Sequence, residues 1–291
     1  MGLMHKTILI TGINGFLGYN LALKLKDYYN IIGIDINISK YNNIDYNTYQ
    51  LPIDKADQVF MENHIDLIVH TATLFGGKSR DFIPICENNI INPLKLVNTA
   101  IYYGCSKFIN IDTVLDRFSG LYALSKRHFQ EWLYSLIDII KVVNVQIEYM
   151  YGENAPSRNL ITWLIKCFLN NEKYINMTSG EQIRNFIHID DVCNALFEII
   201  NLSLTTEDHF INYHLTSNDN ISIKELAITL KEMCNNELTD IKFGAIKKNN
   251  ANDDICVIKT NLEKIPFWEP KVNLNEGLRN LINFYKERGI N

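Results

Sequence analysis

The stretch KTILITGINGFLG, residues 6–18, limits the fold more than any other part of the chain. An apolar β-branched run ends at Thr11, glycines follow at 12, 15 and 18, and FLGYNLALKLKDYY then repeats its apolar residues at helical spacing. A buried strand that turns through glycine straight into a helix opens a βαβ unit. Gly12 lets the chain turn tightly, Gly15 lets a phosphate approach the backbone, and Gly18 lets the helix pack close to the sheet. Asn14, Phe16 and Leu17 complete the turn. Its free N–H groups and the helix dipole suit a pyrophosphate. A glycine turn that serves packing alone is the competing reading.

The first half continues in the same alternation. NIIGIDI reads as a second strand, DLIVHTA as a third, PLKLVNTAIYYG as a helix and KFINIDTV as a fourth strand. YALSKRHFQEWLYSLI reads as a helix and KVVNVQIEYMYG as one more strand. Near-continuous apolar strands between helices predict an α/β fold with a Rossmann-type, doubly wound parallel sheet. After Gly152 the pattern loosens, with FIHIDDVCNALFEIINL a strand turning into a helix and ISIKELAITLKEMC and NLNEGLRNLINFYKERG late helices. The expected organisation is a dinucleotide-binding domain over 1–150 plus roughly 187–210. A smaller α/β substrate lobe over 151–186 and 211–291 interleaves with it.

Ligands of such sheets lie at the carboxyl ends of the strands, so the residues there carry the chemistry. Asp35 closes the second strand, with Ile36 beside it. A carboxylate there accepts both ribose hydroxyls and repels a 2′-phosphate, which favours NAD while leaving NADP possible. Lys40 softens that preference. Asp54 is a candidate for the adenine amine, against the reading of an exposed carboxylate in an irregular loop. His70 reads as structural, and the turn after it, Thr71, Ala72 and Thr73, is expected to run beside the cofactor. Tyr122 and Lys126 lie four residues apart at the start of a helix, and Thr113 ends the strand before it. Spacing alone also fits two residues on a wet helix face.

Composition closes off other classes. A chain of 291 residues, 47% apolar, can build a large core. A formal charge of -5 gives no basic field for nucleic acid or an acidic membrane. No apolar run is long enough to span a bilayer, and the start of the chain enters a strand without a signal-peptide layout, so a cytoplasmic location is expected. MGLMHK lacks the Ser or Thr of a myristoylation signal, so Gly2 carries little weight. Six scattered cysteines, Cys86, Cys105, Cys167, Cys193, Cys234 and Cys256, show no metal-ligand spacing and read as reduced thiols. No metal is expected.

Taken together, TGINGFLG, Asp35, HTAT, Asn89 in NNIINPLKLV, Thr113, YALSK, MYG at 150–152 and RNFIHIDDV at 184–192 resemble the extended short-chain dehydrogenase/reductases, the NAD-dependent epimerase/dehydratase family. The resemblance covers nearly the whole chain. It implies that Tyr122 moves the proton of a sugar hydroxyl or ketone, Lys126 holds the nicotinamide ribose and tunes the phenol, and Thr113 hydrogen-bonds the reacting oxygen. A free tyrosine costs about 4 kcal/mol to ionise at neutral pH, and a nearby ammonium reduces that cost. Asn89 joins the cofactor set by the same resemblance. Thr73, Tyr149 and Arg184 join the substrate set, Arg184 as a bidentate clamp on a diphosphate or else an ion-pair partner of Asp190 or Asp191.

The chain also departs from the family. Asp112 stands where many relatives have Ser, and Gln146 and Tyr149 replace the usual Arg and Asn. Val114 and Leu115 replace the acid pair of dehydratases, so elimination of water is not expected. SKRHFQEW, QIEYMYG, TSGEQIRNFIHIDDV and FGAI resemble the CDP-abequose synthase-like branch. That branch implies a 4-ketoreductase of a nucleotide-linked deoxyhexose in O-antigen assembly, dimeric through the PLKLVNTAIYYG and YALSKRHFQEWLYSLI helices. A 4-epimerase or dehydrogenase is the alternative, and a dinucleotide sensor without turnover a weaker one. Trp163, Arg158 and His188 either line the substrate lobe or pack within it, with a core or interface role favoured for Trp163.

Overall fold

A computed structural model describes residues 5–37, 46–76, 82–217, 219–247 and 263–289. Gly2, Lys40 and Cys256 fall outside the described residues. The chain begins β1 (Thr7–Thr11), α1 (Phe16–Leu25), β2 (Asn30–Asp35), β3 (Asn47–Gln50), α2 (Asp57–Glu62) and β4 (Leu67–His70). It continues through α3 (Ile83–Cys86), a π-helical stretch (Glu87–Ile91), α4 (Asn92–Tyr102), β5 (Lys107–Thr113), α5 (Leu121–Tyr134), β6 (Lys141–Ile147) and β7 (Tyr149–Tyr151). The remainder is α6 (Leu160–Leu169), β8 (Tyr174–Asn176), β9 (Ile183–His188), α7 (Ile189–Thr205), β10 (Phe210–Leu215), β11 (Asn220–Ser222), α8 (Ile223–Met233), β12 (Asp240–Lys242) and α9 (Leu274–Arg288).

Two compact units result, Met1–Ile147 with Cys193–Leu215 and Leu262–Trp268, and Glu148–Val192 with Thr216–Asn261 and Glu269–Asn291. The first holds a seven-stranded sheet in the order β10-β6-β5-β4-β1-β2-β3. Every pairing in it is parallel. Successive residues of a strand point to opposite faces, yet Ile8, Leu9, Ile10, Leu67, Ile68 and Val69 are all buried, so β1 and β4 are covered on both sides. One of those layers joins Leu9, Ile32 and Ile68 to Leu96 and Val97 of α4 and Phe129 and Leu133 of α5. Fully burying an aliphatic side chain of this kind contributes about 1.5–3 kcal/mol. The strand order reverses between β1 and β4, which is where an open α/β sheet leaves a crevice.

The second unit has a three-stranded sheet, β11-β9-β7, and a two-stranded one, β12-β8. Its core gathers Tyr151, Phe168, Leu226, Leu278 and Leu281, with Trp163 packed against it. Ser222 and Glu225 form a capping box that starts α8. Buried Asp191 accepts the backbone N–H groups of Lys271 and Val272, at 3.0 and 2.9 Å, and so pins the segment before α9.

Two strand expectations need correction. KFINIDTV is the fifth strand, because Asn47–Gln50 forms a further one at the sheet edge. That strand is mostly exposed and has no apolar alternation to betray it. KVVNVQIEYMYG is two strands, since β6 joins the large sheet and β7, after Glu148, pairs with β9. Among the described residues, no helix is long and apolar enough to cross a membrane. Among the described residues, Cys86, Cys105, Cys167 and Cys234 are free thiols.

Candidate active site

β1 delivers the chain to a turn that only glycine can make. Gly12 has φ +69° and donates its N–H to the Ile34 carbonyl at 2.8 Å, tying the turn to β2. A Cβ there would lie 2.8 Å from the Ala72 backbone. One at Gly18 would lie 2.3 Å from the Gly12 carbonyl oxygen, so α1 could not pack so close to the turn. Gly15 caps α1 with no side-chain acceptor, which leaves the first-turn N–H groups of Phe16, Leu17 and Gly18 available to an anion.

Asp35 is buried at the end of β2. Its Oδ2 accepts the Asn14 N–H at 3.0 Å and its Oδ1 accepts the Asn37 N–H at 2.8 Å. Oδ2 keeps a lone pair for a ribose hydroxyl, whereas Oδ1 also accepts the Asn37 side-chain amide at 3.3 Å. Asn14 Oδ1 is buried without a partner among the described residues, an acceptor that a hydroxyl donor would satisfy. The turn therefore fits a dinucleotide. Ile36 beside it is exposed. Asp54, in a single helical turn, is not a freely exposed loop carboxylate, because Lys95 of α4 draws it in at 3.4 Å.

The turn after β4 is fastened to β1. Thr71 Oγ1 donates to the Thr11 carbonyl at 2.7 Å, and the Ala72 N–H donates to Thr11 Oγ1 at 3.3 Å. His70 Nδ1 lies 2.8 Å from Thr11 Oγ1. His70 is a structural group: burial first, and the Lys126 charge second, hold its imidazole well below the usual histidine range and so neutral.

Asn89 sits in the π-helical stretch with its amide fully used. Its Oδ1 accepts the Leu74 N–H at 2.7 Å and Thr73 Oγ1 at 3.3 Å, while Nδ2 donates to the Leu74 carbonyl and to Ser125 Oγ, at 2.8 and 2.9 Å. Those bonds fill its inventory. Its side chain ties the loop after β4 to α5, a role sequence reasoning did not assign. Ser125, also missed, donates to the Tyr122 carbonyl at 2.7 Å.

Tyr122 lies in the first turn of α5, half-buried, with its ring stacked on Phe75 at 4.7 Å between centroids. Nothing in TATLFGG marks Phe75 beforehand except its aromatic character. Lys126 follows one helical turn later and is only 3% exposed. Burial lowers the pKa of its ammonium and the Asp112 carboxylate raises it back in part. Thr113 ends β5, its N–H on Asp112 Oδ1 at 2.8 Å and its Oγ1 accepting the Leu115 N–H at 3.3 Å. Helix α5 packs on β5, so Thr113, Tyr122 and Lys126 belong to one βα corner of the first unit.

In the second unit, Tyr149 and Arg184 come together, the guanidinium carbon 5.5 Å from the ring centre. Arg184 is buried and its Nη1 donates to the Ile183 carbonyl at 2.9 Å. Asp191 is taken by the backbone of 271 and 272, the Asp190 side chain is exposed while its N–H donates to His188 Nδ1 at 3.3 Å, and the His188 ring packs edge-on against Tyr151. Arg158 is exposed. Among the described residues, no group of three His, Cys, Asp or Glu side chains could hold a metal ion.

A glycine turn at the switch point of a parallel sheet, with a buried carboxylate ending β2 and a Tyr–Lys pair at the start of α5, is the arrangement of a Rossmann-type oxidoreductase. The chain belongs to the NAD dependent epimerase/dehydratase family, whose model matches residues 8–211. NAD is therefore its cofactor. It is 28% identical to CDP-abequose synthase of Salmonella typhimurium over 97% of this chain and 99% of that protein. The Salmonella muenchen enzyme of the same name is 26% identical over 96% of the chain and 98% of its own length. UDP-glucose 4-epimerase of Thermotoga maritima, solved with UDP-glucose, shares the fold with a TM-score of 0.82 at 21% identity, over 97% of this chain and 99% of that one.

Proposed function

We propose that this protein is an NAD(P)-dependent 4-ketoreductase acting on a nucleotide-linked deoxyhexose in bacterial surface-polysaccharide assembly. The supporting observation is the intact βα corner of Thr113, Tyr122 and Lys126 in a chain similar from end to end to CDP-abequose synthases. Gly12, Asn14, Gly15, Phe16, Leu17, Gly18, Asp35, Ile36, Thr71 and Ala72 hold the dinucleotide, and Asp54 stands toward its adenine end. When bound, the reduced nicotinamide supplies the hydride that goes to sugar C4.

The chain supplies the proton and the alignment. Tyr122 donates its phenolic proton to the oxygen that becomes the new hydroxyl, and Thr113 Oγ1 orients that oxygen. Lys126 holds the nicotinamide ribose and, as a cation one turn away, stabilises the phenolate left behind. Thr73, Tyr149 and Arg184 bind the substrate, the guanidinium opposite the diphosphate. Val114 is buried and Leu115 apolar, so no acid pair stands directly after Thr113 to drive elimination. The protein works in the cytoplasm as a homodimer built on α4 and α5.

A 4-epimerase or dehydrogenase is the second reading, favoured by Asp35, since tightly held NAD suits a hydride that is taken and returned. A sensor without turnover would have no need of the proton-transfer set. The test follows absorbance loss of NADH or NADPH with a panel of 4-keto nucleotide sugars. Wild type is expected to turn over and Tyr122→Phe to lose at least about 100-fold in kcat with cofactor affinity kept. Equal rates would reject Tyr122 as the acid, and interconversion of 4-hydroxy epimers without net NADH loss would favour the second reading.

A further inference from the structure

Phe75 is held more firmly than a half-exposed loop residue needs to be. It is 46% exposed, and a single exposed aromatic is ordinary on a protein surface. The backbone on either side of it is not ordinary. Asn89 clasps Leu74 at both polar groups, its Oδ1 accepting the Leu74 N–H at 2.7 Å and its Nδ2 donating to the Leu74 carbonyl at 2.8 Å. A backbone N–H can only donate and a carbonyl can only accept, so the amide has one orientation. On the other side Gly76 turns at φ +77°, and a Cβ there would lie 2.8 Å from Ile85 Cδ1 of α3. Glycine takes that left-handed turn without steric cost. Between these two fixed points the Phe75 ring lies on Tyr122. The centroids are 4.7 Å apart and the planes differ by 26°, a stacked geometry that aromatic pairs favour.

The same amide also reaches the tyrosine. Asn89 Nδ2 donates to Ser125 Oγ at 2.9 Å, and Ser125 Oγ donates to the Tyr122 carbonyl at 2.7 Å. One buried side chain thus fixes both partners of the stack, the loop that carries Phe75 and the helical turn that carries Tyr122. Asn89 lies in the π-helical stretch between α3 and α4, and π turns recur at functional sites. We infer that Phe75 is a positioning residue, its ring locked by the Asn89 clasp against the Tyr122 ring so that the phenol keeps one direction. The catalytic consequence rests on the reading of Tyr122 as the acid given above, but the stack stands apart from it. The phenol oxygen sits at the end of a long lever. A small swing about the Cα–Cβ bond displaces it by about 1 Å, enough to cost up to about 100-fold in rate. A leucine at position 75 is apolar too, but has no flat face to set against the phenol.

Tyrosine labelled with 13C in its ring reports the stack by NMR, with the Tyr122 signal assigned by its absence in Tyr122→Phe. The Phe75 ring current is expected to hold the wild-type Tyr122 ring protons upfield, and Phe75→Leu to abolish that shift. Asn89→Asp, which sets a carboxylate against the Leu74 carbonyl, is expected to remove most of it with Phe75 still present. In the reductase assay Phe75→Leu is expected to lower kcat by at least about tenfold with the KM for the dinucleotide kept, and Phe75→Tyr to stay within about threefold of wild type. A Tyr122 signal that Phe75→Leu does not move overturns the proposal, even if Asn89→Asp fails to fold. An unchanged kcat in Phe75→Leu overturns it too, as does an equal loss in Phe75→Tyr. Because the NMR uses no substrate, a wild type without turnover beside a signal that Phe75→Leu moves would reject the reductase and keep the stack. An active wild type whose signal does not move would do the reverse.

Discussion

Replacing Asp35 with Ala tests how this protein tells NAD from NADP. Asp35 is 8% exposed, so solvent screens its charge weakly. A 2′-phosphate placed where the ribose hydroxyl meets that carboxylate brings two negative charges to about 5 Å. At an effective dielectric of about 20 this costs about 3 kcal/mol per unit charge. Exposure of the phosphate to water and salt reduces the figure to about 1.5–3 kcal/mol. The substitution also releases the Asn14 and Asn37 N–H groups that Asp35 accepts, so affinity for both cofactors falls. The ratio of the two dissociation constants, not either alone, isolates the charge. Calorimetric titration of wild type and Asp35→Ala with NAD and NADP is expected to move that ratio toward NADP by about 10- to 150-fold. A ratio within about threefold of wild type would mean that Asp35 does not face the 2′ position.

Three further outcomes follow from the same geometry. His70 is held neutral by burial, so its folded pKa lies below the unfolded value of 6.5, and the stability it allows is complete above that value and lost as pH falls through it. Denaturation series below pH 6.5 should show a loss approaching about 1.4 kcal/mol per pH unit from this group, and His70→Gln should flatten that limb. Asn89→Leu strands the Leu74 N–H, the Leu74 carbonyl and Ser125 Oγ, and is expected to cost about 2–4 kcal/mol in urea unfolding. Gly18→Ala puts a methyl 2.3 Å from the Gly12 carbonyl oxygen and 2.8 Å from Ile13 Cα, both backbone. The turn must shift, so NAD affinity should drop by more than about tenfold, and calorimetry showing unchanged affinity would contradict the close packing of α1.

Much of this architecture was legible because strong local signals coincide with it. The apolar runs that became β1, β2, β4 and β5 are buried on both faces, so burial and sequence say the same thing. Gly12 and Gly18 of the first turn announce themselves because a Cβ at either position would lie under 3.0 Å from backbone. The signal faded where structure depends on partners and not on pattern. Edge strand NTYQ takes its form from pairing with β2, and the break at Glu148 separates strands that continue one apolar run.

A rung of side-chain amides across β5, β6 and β10 shows the same limit more sharply. Asn110, Asn144 and Asn212 lie on three strands, and nothing in FINID, VVNVQ or FINYH says that they will align. Asp112 looked like a departure from a family pattern when read along the chain. Read across the sheet, it sits two residues beyond Asn110 on the same face of β5, within reach of the Asn144 amide. Period-two alternation puts both residues on the face where Phe108 meets Phe129 of α5, the helix that carries Lys126. A carboxylate that looks misplaced in an apolar strand becomes intelligible once the Thr113 N–H and the Asn144 amide are seen to satisfy its two oxygens. Register, which no local motif encodes, turns four scattered polar residues into one hydrogen-bonded network.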